Sequence, residues 1–343
     1  MTDENTLRIA RAPTNSADLL GALASVEKTT TDIEEVSAAS LEDAFKILDN
    51  GDADLLFASA NDISNTDLLR EEFQIIGALP LRDWNSVLVS EDRPYHLPKN
   101  AIILCQFQLV RRQLRRLRPD LRVRSSEAHI GIEGIKLTNE LSDEDLFSFA
   151  TWAEKLRQSG EIDGYVIPRH IHRLLGMKTR RHALSQEPAE DELIKFLPRP
   201  HAGTILVIGR MGFPKIKVRE IIDEEAETSW NLSEILLSEM SEDIKSMVGI
   251  LVRHKQPVTL IREAERRKDL LTHNVLINPE GELTTNETKV DIQIELVDHK
   301  GSSTISIQRI VDLDDSTVAT RFLANEWNKL VKLGMKHPGF LKL

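Results

Sequence analysis

"SLEDAFKILDNGDADLLFASA", Ser40 to Ala60, decides the fold class of this chain. Apolar positions at helical spacing make the first half an amphipathic helix, and "DADLLFASA" follows it as a short apolar strand. Upstream, "TLRIARA" reads as a strand and the segment from Ser16 to about Val26 as a helix, so the opening has βαβ grammar. Working outward, "EFQIIGALPL" and "NSVLVSE" are strands. "HLPKN" breaks the pattern before a new strand, "AIILCQF". "DLRVRS" is the next strand, "SDEDLFSFATWAEKLRQSG" a long helix ending at Gly160, and "DGYVIP" a strand leading into the helix "RHIHRLLGM". "GTILVIGR", residues 203–210, is an apolar strand returning to the first domain. Residues 213–243 turn acidic and helical and read as a connector. The last hundred residues are α+β: the helix "TLIREAERRKDLL", the alternating strands "KVDIQIELVDHKG" and "STISIQRIVD", and a closing helix "STVATRFLANEWNKLVKLG".

These segments predict a first α/β domain over 1–98 plus 197–215 and a second over 99–196. An acidic helical connector over 216–243 and a smaller α+β domain over 244–343 complete the chain. The crossings between the first two domains are expected near residues 95–103 and 196–203.

At 343 residues the chain is long enough for two or three domains. Lys+Arg number 44 against 55 Asp+Glu, a formal net charge of −11. That balance repels nucleic acid and anionic membrane, so any anion site must be local. The N-terminus lacks an apolar signal core and no run of about 18 apolar residues appears, which points to the cytoplasm. The single cysteine, Cys105, excludes an intrachain disulfide and a thiolate zinc cluster.

Against this acidity, "QLVRRQLRRLRPDLRVR", Gln108 to Arg124, holds seven arginines. Val110, Leu114 and Leu117 mark the apolar face of a short helix that Pro119 stops. Arg111/Arg115 and Arg112/Arg116 are i,i+4 pairs beside that face. Such a set of planar donor forks suits carboxylate or phosphate. A solvated basic face is the alternative. Nucleic-acid binding lacks interleaved aromatics.

Several segments, in order, resemble the hydroxymethylbilane synthase (porphobilinogen deaminase) family. "LRIARAP" resembles its opening strand and "GDADLLFASANDIS" its active-site strand. "RRQLRRLRPDLRVRSSEAHIGIEGIKL" resembles its paired-arginine region, and "IDGYVIPRHIHRLLGM" and "FLPRPHAGTILVIGR" two later motifs. The resemblance implies two periplasmic-binding-protein-like α/β domains with a cleft between them, plus a third α+β domain. It implies deamination and condensation of porphobilinogen on a dipyrromethane cofactor, in a monomer of tetrapyrrole biosynthesis. Asp62 aligns with the catalytic aspartate; a turn or cap role is its alternative. Ser59, Arg11, Arg111, Arg112 and Arg173 align with or lie beside positions that bind substrate and cofactor.

The match departs from the family at telling places. Ala58, Asn61 and Ser64 replace a histidine, a lysine and a proline, while Glu127 and Glu133 replace two arginines. At about 6 Å and an effective dielectric of about 20, each such swap turns an attraction of roughly 3 kcal/mol into a repulsion. The turn that carries the cofactor cysteine is here "THNVLINPEG". No covalent dipyrromethane is therefore expected, and a thioether at Cys105 is disfavoured. His129, His170, His172 and His201 align with cleft-facing segments and read as satisfied polar histidines, with no metal site. The alternative function is a relative that has lost the chemistry and binds a small (tetra)pyrrole or another carboxylated ligand in the cleft.

Overall fold

Ser40 caps the helix that opens the deciding stretch by accepting a hydrogen bond from Asp43 N, and Gly51 ends it at φ 80°. The helix buries Ala44, Phe45 and Leu48, and the strand after it is buried at all five positions. A strand covered on both faces is the mark of a parallel sheet with helices on each side. The computed structural model describes residues 6–28, 33–64, 67–69, 71–134, 145–185 and 195–336. The first five residues and the expected helix start at 142–144 lie outside the described residues.

The first lobe runs β1 (Leu7–Arg11), α1 (Leu19–Val26), β2 (Ile33–Ser37), α2 (Leu41–Asn50), β3 (Leu55–Ser59), α3 (Ala60–Ser64) and β4 (Phe73–Ala78). The second runs β5 (Ser86–Ser90), β6 (Ile102–Cys105), α4 (Gln108–Leu117), β7 (Arg122–Arg124) and α5 (Ser126–Glu133). It continues through α6 (Leu146–Ser159), β8 (Gly164–Pro168), α7 (Arg169–Leu174) and β9 (Arg181–Leu184). β10 (Ile205–Arg210) then returns to the first lobe. The sheet orders are β2-β1-β3-β10-β4 and β7-β6-β8-β5-β9. Each lobe thus has the same plan, with one antiparallel strand delivered by a segment crossing from the other lobe. In open α/β sheets ligands bind beyond the carboxyl ends of the parallel strands, so the space between the lobes is the place for a site.

One boundary differs from the sequence reading. "NSVLVSE" belongs to the second lobe, where β5 pairs with β8 and β9, so the first crossing is at residues 79–85 and not at 95–103. A buried apolar strand has the same composition in either sheet, and only its partners reveal which one it joins. The two crossings press together at Gly203, which has φ +73°; a Cβ there would lie 2.3 Å from Arg82 O and 3.0 Å from the Trp84 backbone.

The third domain comprises α8 (Glu224–Ser238), α9 (Glu242–Lys245), β11 (Val248–Lys255), α10 (Pro257–Arg267) and α11 (Leu270–Leu276). β12 (Lys289–Val297), β13 (Thr304–Asp312) and α12 (Ser316–Gly334) complete it. Its antiparallel sheet, β11-β12-β13, buries Val290, Ile292, Ile294 and Leu296 against Leu323, Trp327 and Val331 of α12. α8 is not a connector. Ala226 and Trp230 enter the core of the first lobe, while Leu232 and Leu236 enter that of the third domain. Glu224, Glu225 and Glu227 crowd its first turn and hide this apolar stripe in a composition count.

Candidate anion-binding site

The arginine helix divides its cations between two neighbours. Val110, Leu114 and Leu117 face the core of the second lobe, which fixes the rotation of α4. Successive residues on a helix point about 100° apart, and Arg111 and Arg112 leave α4 in different directions, Arg111 toward the cleft. Arg112 turns away from it. The residue is 3% exposed, and its Nη1 donates to Val297 O at 2.9 Å. Burial, with Arg115 nearby, pushes it down to about 10. Arg115 donates to His299 O at 2.9 Å, and Arg116 pairs with Glu295 at 2.8 Å. Gln113 also donates to Glu295, at 2.7 Å. Gly301, at the tip of the β12–β13 hairpin, lies so close that a Cβ would sit 2.3 Å from Arg116 N. Arg112, Arg115 and Arg116 therefore clamp the third domain to the second lobe. Arg118 pairs with Asp120 and Arg124 with Glu133, which leaves Arg111 as the helix's contribution to the cleft side.

Arg111 donates through Nη1 to Cys105 O at 2.9 Å and Gln106 O at 2.8 Å. These bonds aim it into a cavity of about 710 Å³ where both lobes, the second crossing and the third domain meet. α3 supplies Asn61 and Ser64, the β6–α4 loop Gln106 and Phe107, the crossing Arg199 and His201, and α8 Glu234. Arg199 stacks its guanidinium 3.7 Å from the Phe107 ring centroid and has no carboxylate partner among the described residues. Close packing by protein pushes it down to about 10, although part of its surface reaches solvent. α4 begins at this cavity without a side-chain cap, so its first N–H groups and the positive end of its dipole are directed there.

The other wall carries Glu234 and the Glu242–Lys245 ion pair. Burial raises Glu234, but, with the Lys245 charge nearby, His201 and the Ser64 hydroxyl outweigh it and hold the carboxyl below its usual range. Both act on one oxygen: Oε1 lies 2.6 Å from His201 Nε2, off the line of an aligned hydrogen bond, and accepts from Ser64 Oγ at 3.2 Å. The His201 ring rests against Trp230 at 4.5 Å between centroids.

The other sequence candidates sit elsewhere. Asp62 accepts hydrogen bonds from Thr14 Oγ1 at 2.6 Å and Ser16 Oγ at 2.7 Å, within its own lobe, and does not line the cavity. Ser59 is 1% exposed, and its hydroxyl has no partner among the described residues. Arg11 is paired with Glu35 at 2.6 Å. Arg173 bridges Asp18 and Asp83, a latch between the lobes beside the 3.0 Å contact of His170 Nε2 with Asn15 O. His172 donates to Thr179 O, and His129 packs its ring edge against Trp152. Among the described residues no group of three His, Cys, Asp or Glu is placed to hold a metal. Arg199 and Glu234 are the cavity residues that motif reading passed over. Arg199 lies within the crossing predicted at 196–203, and that position was the available signal.

Cys105 is fully buried, its Sγ donates to Phe107 O, and burial pushes the thiol up to about 11. A thiol-specific reagent at neutral pH should leave the native protein unlabelled and take up one equivalent after denaturation. Rapid labelling of native protein would show that Cys105 is accessible to a cofactor.

No protein-family model matches the sequence, and neither does any curated protein. Among solved structures, the chain is similar to an ABC transporter protein of Parabacteroides distasonis, at 11% identity over 98% of both chains and a TM-score of 0.37. It is similar to the aliphatic sulphonate binding protein SsuA of Escherichia coli, at 12% identity, with 71% of this chain and 75% of that one covered and a TM-score of 0.34. A third is the BvgS VFT2 domain of Bordetella pertussis, at 16% identity, 64% and 86% coverage and a TM-score of 0.30. The likeness is loose, and the two-lobed fold rests on the strand orders of this chain.

Proposed function

We propose that the chain is a binding protein for a small carboxylated ligand, held in the cavity between the two lobes and the third domain. The observation that carries this reading is the pair Arg111 and Arg199. Both line one cavity, neither has a carboxylate partner among the described residues, and the uncapped start of α4, Phe107 and Gln108, lines it too. A guanidinium packed by protein on most sides is less well solvated than one in water, and a ligand carboxylate offsets that loss. Cavities of this volume suit ligands of metabolite size.

A panel of mono-, di- and tricarboxylates, with porphobilinogen and free dipyrromethane included, tests the proposal by thermal shift. Some members should raise the melting temperature of wild type with saturable dependence on concentration. Arg199→Ala should abolish the response, and an identical response in that variant would refute the site.

The enzymatic reading, deamination of porphobilinogen, has one observation in its favour: Asp62 stands in frame with the family's aspartate. Its carboxylate is occupied by Thr14 and Ser16, and three of the four helix arginines, Arg112, Arg115 and Arg116, contact the third domain. The expected outcome is no ammonia release from porphobilinogen with free dipyrromethane as primer. Turnover that collapses by roughly 10²-fold in Asp62→Asn would establish the enzyme instead.

A further inference from the structure

The Glu234 wall of the cavity narrows the ligand class, on the reading that Arg111 and Arg199 hold an anion. Glu234 Oε1 is engaged by Ser64 and His201, but Oε2 has no partner among the described residues. This carboxylate, 40% exposed, lines the same cavity as the two open guanidiniums and the Glu242–Lys245 ion pair, and is held in its charged form. A purely anionic ligand would meet attraction at one wall and repulsion at the other. We propose that the ligand is zwitterionic, an amino acid or amino-carboxylate whose ammonium group donates to Glu234 Oε2 while its carboxylate takes Arg111 and Arg199.

Each part of the site sits on a different segment: α4, the second crossing and α8. Arg111 is fixed by two backbone carbonyls at the start of α4, Arg199 by the Phe107 ring, and Glu234 by α8, which is anchored in two cores. The spacing between anion and cation subsites is therefore built into the fold, and discriminates ligands by charge pattern as well as by size.

Calorimetric titration of matched pairs tests the proposal: glutarate against L-glutamate, and adipate against L-2-aminoadipate. In wild type the amino member of at least one pair should bind about tenfold tighter or more. Glu234→Gln, which keeps the shape and the Ser64 contact, should erase that preference and leave the amine-free acids bound at least as tightly as before. Arg199→Ala should weaken both members together. Equal binding within each pair by wild type, or a preference that survives Glu234→Gln, overturns the ammonium subsite while leaving the anion site standing. No binding of any of the four acids overturns the zwitterion proposal; if Arg199→Ala then also leaves the wider panel's responses unchanged, the anion site falls with it.

Discussion

Arg116→Ala should lower the stability of the protein by about 3–5 kcal/mol, the range for stranding one member of a buried ion pair. Arg116 and Glu295 are 12% and 4% exposed, their contact is 2.8 Å, and a second guanidinium nitrogen reaches the same carboxylate at 3.2 Å. Without the arginine, Glu295 stays buried with only Gln113, among the described residues, to donate to it. Urea denaturation followed by tryptophan fluorescence reads the effect, since Trp327 lies in the third-domain core against which this interface is built. Two comparisons separate the clamp from a generic loss of charge. Lys46→Ala, from the exposed pair with Asp43 on α2, should cost no more than about 1 kcal/mol. Glu295→Gln added to Arg116→Ala should recover part of the loss, because it removes the stranded charge. Equal costs for Arg116→Ala and Lys46→Ala would mean that the arginine helix does not fasten the third domain.

Gly203→Ala should cost about 3 kcal/mol or more. Part of this is the left-handed backbone at φ +73°, which an L residue adopts at a cost of roughly 1–2 kcal/mol. The larger part is contact: the new Cβ would lie 2.3 Å from Arg82 O, and the opposing atoms are backbone of the other crossing, which cannot rotate away. Gly212→Ala isolates the contact, since Gly212 has φ +81° and nothing within 4 Å of its virtual Cβ. The difference in melting temperature between the two variants measures how tightly the crossings are pressed together. If both alanines cost the same, the crossings are free to part and the cavity between the lobes is not preformed.

The two βα lobes were legible in the sequence because buried strands and amphipathic helices alternate from Leu7 to Arg210 with short punctuation between them. Three features were not. β5 reads as a strand of either sheet, since Val87, Leu88 and Val89 are buried on both faces whichever sheet it joins. α8 carries Ala226, Trp230 and Leu236 beneath a run of glutamates, so average composition concealed a helix that spans two cores. The arginine pattern gave the helix and its apolar face but not the neighbours around it. The docking of the β12–β13 hairpin, a contact between residues about 180 positions apart, decides that Arg112 and Arg116 are structural and Arg111 faces the cavity. Arg199 and Glu234 share one cavity only through that tertiary arrangement.

The proposed ligand binding turns on Arg199, a half-buried guanidinium at the second crossing with no carboxylate partner among the described residues. Calorimetric titration of the tightest-binding acid of the panel into wild type, Arg199→Ala and Arg11→Ala tests it directly. Arg11 was the sequence's own candidate and is paired with Glu35. Loss of charge-assisted hydrogen bonds should weaken binding roughly 10- to 100-fold in Arg199→Ala and leave Arg11→Ala within about twofold of wild type. Unchanged affinity in Arg199→Ala, or a loss confined to Arg11→Ala, would contradict the account.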